Sequence, residues 1–84
     1  MMVVNFITQE KIIFQGEFLS LTLPSIEGEI CVLPNHAPLI TPLKEGKVKI
    51  KTKQKELSFQ IQKGILEINP KEVNILADLK NGVK

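Results

Sequence analysis

Hydrophobic and polar residues alternate in short bursts along the chain, and turn-forming residues separate the bursts at intervals of roughly 8–12 residues. The clearest burst runs from Lys47 to Lys51, where Val48 and Ile50 alternate with three lysines. Such alternation places apolar side chains on one face of a strand and polar side chains on the other. Because no stretch sustains a helical period, the pattern predicts an all-β fold, a flattened sandwich or barrel of about ten short strands.

Prolines and glycines predict where these strands end. Pro24 lacks the N–H that a central strand needs, so we expect it to end the third strand. Lys63-Gly64 predicts a hairpin, and Asn69-Pro70-Lys71-Glu72 predicts a type I turn. We expect the whole chain, residues 1–84, to form one domain. Residues 79–84 are expected to be a frayed tail, and no C-terminal helical domain is expected.

Two segments in the first half of the chain have the composition of shaped loops. Glu27-Gly28-Glu29 is acidic, and Gly28 can take a positive φ. Pro34-Asn35-His36-Ala37-Pro38 places two prolines around an asparagine, the residue that best tolerates the left-handed region after glycine. Cys31 lies in the apolar segment between them and is expected to be buried as a small hydrophobic residue.

The charge is unevenly distributed along the 84 residues, which carry a net charge of +2. Residues 1–43 hold one lysine and four glutamates, whereas residues 44–84 hold ten lysines and five acidic residues. A basic half can attract nucleic acid, so a small β-barrel that binds single-stranded nucleic acid through its lysines is one alternative. The sequence has no arginine, tryptophan or tyrosine to support that recognition, and lysines on a strand also deter aggregation.

The sequence offers little for catalysis. His36 is the only histidine, and no nucleophile can be placed beside it, which leaves a small hydrolase as a weak alternative. A metal site needs several ligands at fixed spacing, and Glu27 and Glu29 alone do not provide them. We therefore expect no catalytic residue, metal or cofactor, and no unbroken apolar run is long enough to span a membrane. These features favour an interaction module.

From Leu23 to Thr41 the chain reads LPSIEGEICVLPNHAPLIT, which resembles without gaps the signature TLPGxEGEFGVLPGHAPLLT of the ε subunit family of F-type ATP synthases. Further similarity lies at Ile13–Glu17, Leu43–Gly46, Gly64–Ile68 and Val73–Asp78, so the resemblance covers essentially the whole chain. The resemblance implies a flattened sandwich of strands that catalyses no reaction itself. Such a domain sits at the foot of the central stalk and fastens the γ subunit to the membrane c-ring.

The resemblance also implies two sets of contact residues. The c-ring contact would comprise Glu27, Gly28, Glu29 and Ile30, with Glu29 meeting a basic group of the ring. The segment near γ and the ring would comprise His36, Ala37, Pro38, Leu39, Ile40 and Thr41. The partners would be γ and the c-ring but no nucleic acid, and the protein would touch the cytoplasmic face of the bacterial inner membrane only indirectly, through the ring.

The chain departs from the family pattern in three ways. Asn35 replaces the usual glycine, and this change is permitted because asparagine also tolerates positive φ. Cys31 stands at a position where the family commonly has glycine. Family members usually continue into a helical hairpin that inhibits ATP hydrolysis, whereas this chain ends at Lys84. The expectation is a coupling subunit without inhibition by that hairpin.

Overall fold

The computed structural model describes residues 2–80, and strands form all of its regular secondary structure. The all-β prediction is therefore confirmed. There are eight strands: β1 (Val3–Ile7), β2 (Ile12–Glu17), β3 (Ser20–Ser25), β4 (Gly28–Val32), β5 (Leu39–Leu43), β6 (Gly46–Lys51), β7 (Glu56–Ile68) and β8 (Glu72–Leu79).

The 13-residue strand β7 connects the two layers of the sandwich. Its second half lies between β8 and β5, in a layer ordered β2-β1-β8-β7-β5, and its first half pairs with β6. The second layer consists of β4, β3, β6 and this first half of β7. Because β5 also touches β3, through Ser25 and Leu43, the strands β5, β3, β6 and β7 close a ring of pairings. This closure holds the two layers in a fixed relation.

The core lies between the layers and consists of the inward-facing residue of each alternating pair. Val48 and Ile50 are fully buried, as their alternation with lysines predicts. Phe6 of the first layer meets Phe59 of the second edge to face, with ring centroids 5.2 Å apart. The core joins residues from both ends of the chain, including Met2, Leu21, Val32, Leu43, Ile61, Leu66, Ile75 and Ala77.

The predicted hairpin at Lys63-Gly64 is wrong. β7 continues through this point, and its register with β8 shifts between Ile61 and Gly64, which marks a β-bulge. Bulges bend a strand without reversing it. The structure has eight strands rather than about ten, and the bent strand β7, which takes the place of two, accounts for one strand of the difference.

Other predicted ends of strands are corrected or confirmed. Pro24 does not end β3, since the strand continues to Ser25, and the Pro24 carbonyl accepts a hydrogen bond from the Lys44 N–H at 2.8 Å. The turn at Asn69 is confirmed: its side-chain oxygen accepts hydrogen bonds from the N–H groups of Lys71 and Glu72. The frayed tail does not begin at Leu79, which ends β8. Lys80 donates its N–H to the Gln60 carbonyl, and residues 81–84 lie outside the described residues.

Candidate functional site

The acidic segment forms a tight hairpin between β3 and β4. Ser25 pairs with Gly28, which leaves Ile26 and Glu27 as the exposed turn. The Ser25 hydroxyl donates to the Gly28 carbonyl at 2.6 Å and accepts from the Glu27 N–H at 3.2 Å. Gly28 has φ 129°, as its place in the acidic loop predicted, so a side chain there would strain the backbone. The buried serine and the glycine together hold Glu27 at a defined position.

Glu29 lies on strand β4 and not in a loop, which corrects the predicted extent of the acidic loop. Its side chain is exposed on the outer face of the second layer, whereas the half-buried Ile30 packs against the core. Glu29 lines a shallow concavity of about 410 Å³ together with Thr22, Pro24, Lys44, Lys47 and Lys49. The carboxylate therefore stands at the margin of a basic surface.

The loop that contains His36 lies beyond the other end of β4. Asn35 has φ 73°, which confirms the predicted left-handed conformation. The loop is held by the His36 N–H, which donates to the Leu33 carbonyl at 3.1 Å, and by the Asn35 N–H, which donates to the sulfur of the buried Met2 at 3.4 Å. Ala37 and Pro38 are exposed, so these two residues of the loop are accessible from solvent.

The remaining residues of the predicted γ-proximal segment lie on β5. Leu39 and Thr41 are half-buried, but Ile40 is 70% exposed, which makes it the most exposed large hydrophobic side chain among residues 2–80. The segment returns toward the acidic hairpin, where the Pro42 carbonyl accepts from the Ile26 N–H at 3.3 Å. This bond joins two residues that are adjacent in sequence to the predicted contact sets, Ile26 beside Glu27 and Pro42 beside Thr41. His36 and Glu27 lie beyond opposite ends of β4, which is about 15 Å long.

Cys31 is exposed, which contradicts the prediction that it belongs to the core. Cys31 pairs with Thr22 of β3 on the outer face of the second layer, so the alternation of side chains along β4 directs it toward solvent. Val32 is fully buried, whereas Leu33 is 56% exposed. An apolar run thus proved to be a strand with one solvated face.

An apolar row that the sequence analysis missed crosses the outer face of the first layer. Register places five residues side by side on five neighbouring strands: Ile12, Ile7, Leu76, Ile65 and Pro42. Ile12, Leu76 and Ile65 are 55%, 50% and 46% exposed. Monomeric proteins rarely leave such a contiguous apolar strip open, so this row is a candidate interface. Its signal in the sequence is an apolar residue at both inward and outward positions of β8.

A polar ladder runs parallel to this row. Its members lie two residues from the row on β1, β8 and β7, and three residues from it on β2. The Gln15 side-chain amide donates to Asn5 at 2.8 Å, and the Asn5 amide donates to Asn74 at 2.9 Å. The Asn74 amide in turn donates to Glu67 at 3.2 Å. Ile40 stands opposite Glu67 at the end of the ladder. These side-chain hydrogen bonds join four strands and stiffen the face that carries the apolar row.

Little in residues 2–80 supports catalysis. The His36 Nδ1 is 2.8 Å from the Ala37 carbonyl, to which it donates when protonated, so this ring nitrogen does not activate a nucleophile. The same residues contain no group of three His, Cys, Asp or Glu side chains suited to a metal ion. Residues 2–80 contain no helix that is long and apolar enough to cross a membrane.

The chain is a small β-sandwich with candidate interfaces at one hairpin, at one loop and along the outer face of the first layer. The chain belongs to the family described as ATP synthase, delta/epsilon chain, β-sandwich domain, which matches residues 1–79. It is 40% identical over 74 residues to an ATP synthase epsilon chain of Dehalococcoides mccartyi, covering 88% of this chain and 53% of the relative. An ATP synthase epsilon chain of Moorella thermoacetica is 43% identical over 75 residues, covering 88% and 56%. The chain thus spans about half the length of the curated relatives it matches.

Solved structures with the same fold come from two mitochondrial ATP synthases. A chain in the central stalk and c-ring structure from Tetrahymena thermophila superposes with a TM-score of 0.81 at 18% identity, covering 92% of this chain and 63% of that one. A chain from the Euglena gracilis enzyme gives a TM-score of 0.84 at 23% identity, covering 90% and 49%. At these identities the likeness concerns the fold alone.

Proposed function

We propose that this protein is a non-catalytic rotor subunit of an F-type ATP synthase, which joins the γ subunit to the membrane c-ring during proton-driven ATP synthesis. The observation that carries the proposal is the family match across residues 1–79. The relatives named ATP synthase epsilon chain support it. In this role the domain makes and breaks no covalent bond and transmits torque between its partners.

The arrangement of the candidate surfaces suits a subunit with two partners. A subunit that transmits torque between γ and the ring needs a separate contact surface for each partner and a fold that does not deform. The ring of pairings among β5, β3, β6 and β7 provides such a body. The prolines and the left-handed Asn35 reduce the conformational freedom that the His36 loop loses on docking.

On the γ side, we propose that the contact extends from His36 and Ile40 onto the apolar row. Ile40 lies on the same outer face as the row, because it is two residues from Pro42 on β5. Together these exposed apolar side chains form the kind of patch that a stable subunit contact buries. The polar ladder beside the row keeps the face rigid while it is loaded.

On the ring side, we propose that Glu27 and Glu29 approach a basic group of the c-ring, with Gly28 and Ile30 setting their backbone. The hydrogen bonds of Ser25 hold the turn in place before the partner arrives. A carboxylate on a strand is better positioned than one in a mobile loop, so the placement of Glu29 on β4 favours a specific contact. The protein would then be peripheral at the cytoplasmic face of a bacterial inner membrane.

Co-expression with the γ and c subunits of the same organism tests this function. We expect the tagged chain to retain γ in detergent-free extracts, and to retain the assembled c-ring when membranes are solubilised. A tagged Glu27→Gln, Ile65→Ser double variant, which alters both surfaces, should retain less of each partner. Failure of the parent chain to retain either subunit would overturn the proposal.

A further inference from the structure

The outer face of the second layer carries a basic surface, of which the proposed function uses only Glu29 at the margin. We call Lys44, Lys47, Lys49 and Lys51 the lysine face. All four side chains are exposed, and the last three project from the same side of β6. Lys53 and Lys55 continue the positive charge into the hairpin between β6 and β7.

Two lysines of the lysine face have uncharged neighbours across the strands, whereas Lys51 lies opposite Glu56. Lys49 stands between Thr22 and Ser58, and Lys47 is opposite Gln60. Glu29 and Glu56 are the acidic residues at the margins of the face. Within residues 2–80 the recorded ion pair joins Lys80 to Glu45, so no ammonium group of the lysine face is held in one.

We propose that the lysine face is an electrostatic docking surface for anionic lipid headgroups. Clusters of four to eight basic residues bind anionic membrane surfaces, each contributing about a fivefold gain in partitioning. Lysine suits this partner because its ammonium is a mobile point charge that needs no fixed partner geometry. The surface is a strand face with a shallow concavity rather than a deep pocket, so it fits an extended layer of phosphates.

An apolar side chain at the edge of the lysine face also favours lipid. The Leu19 N–H donates to the Lys51 carbonyl at 2.7 Å, and the Leu19 side chain is 43% exposed beside Thr52, Lys53 and Gln54. Membrane-surface segments combine basic residues with apolar ones that enter the interface. Leu19 would enter the headgroup region while the lysines contact phosphates.

Single-stranded nucleic acid fits the same surface less well. Its binding sites combine a basic groove with aromatic side chains on which bases stack. None of the outward residues opposite β6 is aromatic, and the nearby Phe59 belongs to the inner face. The outward residues are Ser20, Thr22, Glu56, Ser58 and Gln60. A lipid surface requires no stacking partner, so the chemistry of this face favours phosphates without bases.

Sedimentation with vesicles tests the inference in the absence of every ATP synthase subunit, so its failure is distinguishable from failure of the proposed function. The parent chain would be mixed with phosphatidylcholine vesicles and with vesicles containing about one third phosphatidylglycerol, a lipid of the anionic class that such clusters bind. We expect binding only to the anionic vesicles, and loss of binding as added salt shortens the screening length to about 10 Å or less.

Two triple variants with the same net charge separate a local surface from overall charge. Lys47→Gln, Lys49→Gln, Lys51→Gln should lower partitioning on the order of 100-fold, because three contacts are removed. Lys11→Gln, Lys63→Gln, Lys71→Gln removes exposed lysines outside β6 and should lower it far less. Glu29→Gln, which removes a negative charge from the concavity, should raise vesicle binding.

Three outcomes would overturn the inference. The first is equal loss of binding in the two triple variants, which would assign binding to net charge. The second is binding to an oligothymidylate but not to anionic vesicles, which would assign the face to nucleic acid. The third is release of the chain from bound anionic vesicles by inorganic phosphate as effectively as by further anionic vesicles of matched phosphate content. That result would indicate a site for a free anion.

Discussion

Gly64 lies directly opposite Ala77 at the point where β7 bends between the two layers. A Cβ added to Gly64 would overlap the Ala77 Cβ and the Leu76 carbonyl oxygen, and would lie 2.9 Å from the Ala77 Cα. Two of these three atoms are backbone atoms of the paired strand, which cannot move aside as a flexible side chain can. The absence of a side chain therefore permits the close approach of β7 and β8 at the bulge.

Replacing Gly64 with alanine should destabilise the domain. The new methyl group has to separate β7 from β8 or shift the bulge, and overpacking of this kind costs about 1–3 kcal/mol. Urea denaturation would measure the change in the free energy of unfolding. Gly16→Ala is the matched control: its Cβ would meet Phe14 at an ordinary 3.4 Å, so we expect a change of less than about 1 kcal/mol. Equal effects of the two substitutions would show that the approach at Ala77 is not what requires glycine.

The conformation of Asn35 predicts a particular order of stability among its variants. With φ at 73°, Asn35→Gly should leave stability nearly unchanged, whereas Asn35→Ala should cost about 1 kcal/mol because its Cβ is strained in the left-handed region. Thermal unfolding of the two variants would test this order. If alanine were tolerated as well as glycine, the loop would not be held in this conformation.

The apolar row predicts where γ binds. Ile65→Ser and Leu76→Ser should each weaken γ binding about tenfold or more, because each removes an apolar contact from the centre of the proposed interface. Titration of labelled γ would measure the affinity. Leu19→Ser, which changes a side chain of similar exposure beside the lysine face, should leave γ binding unaltered. Full γ affinity in both row variants would remove the row from the interface.

Glu29 is predicted to contribute by charge alone. Glu29→Gln keeps the shape of the side chain and should weaken c-ring binding about two- to fivefold, the usual size of an exposed charge contact, with the difference shrinking as salt is added. Binding to solubilised rings at two salt concentrations would measure it. Glu56→Gln removes an exposed charge from the same outer face, opposite Lys51, and should bind like the parent. If Glu29→Gln bound the c-ring as tightly as the parent chain, the contact would lie elsewhere.

Local patterns in the sequence predicted those features that depend on neighbouring residues. Val48 and Ile50 are buried between exposed lysines, and Gly28 and Asn35 have the positive φ expected of them. Each of these depends on the period of a strand or on the steric freedom of a single residue. Such local rules can be applied to a single sequence without knowledge of which strands pair.

Features that depend on strand neighbours were not predictable in the same way. Lys63-Gly64 has the composition of a turn, and only the pairing with Ala77 shows that the glycine serves a bulge. Cys31 lies in an apolar run, but its pairing with Thr22 places it on the outer face of β4, where it is exposed. The apolar row likewise appears only when the register of five strands is known, since its members are distant in sequence.

The most direct test of the central claim, that separate surfaces of one rigid domain hold γ and the c-ring, is site-specific disulfide cross-linking in assembled membranes. Because Cys31 is exposed, single cysteines would be introduced as Glu29→Cys or His36→Cys in a Cys31→Ser background. With cysteines placed along the c-subunit loop and along γ, the account predicts that position 29 joins to c and position 36 joins to γ. Cross-linking of both positions to the same subunit, or of neither to any stalk or ring subunit, would contradict it.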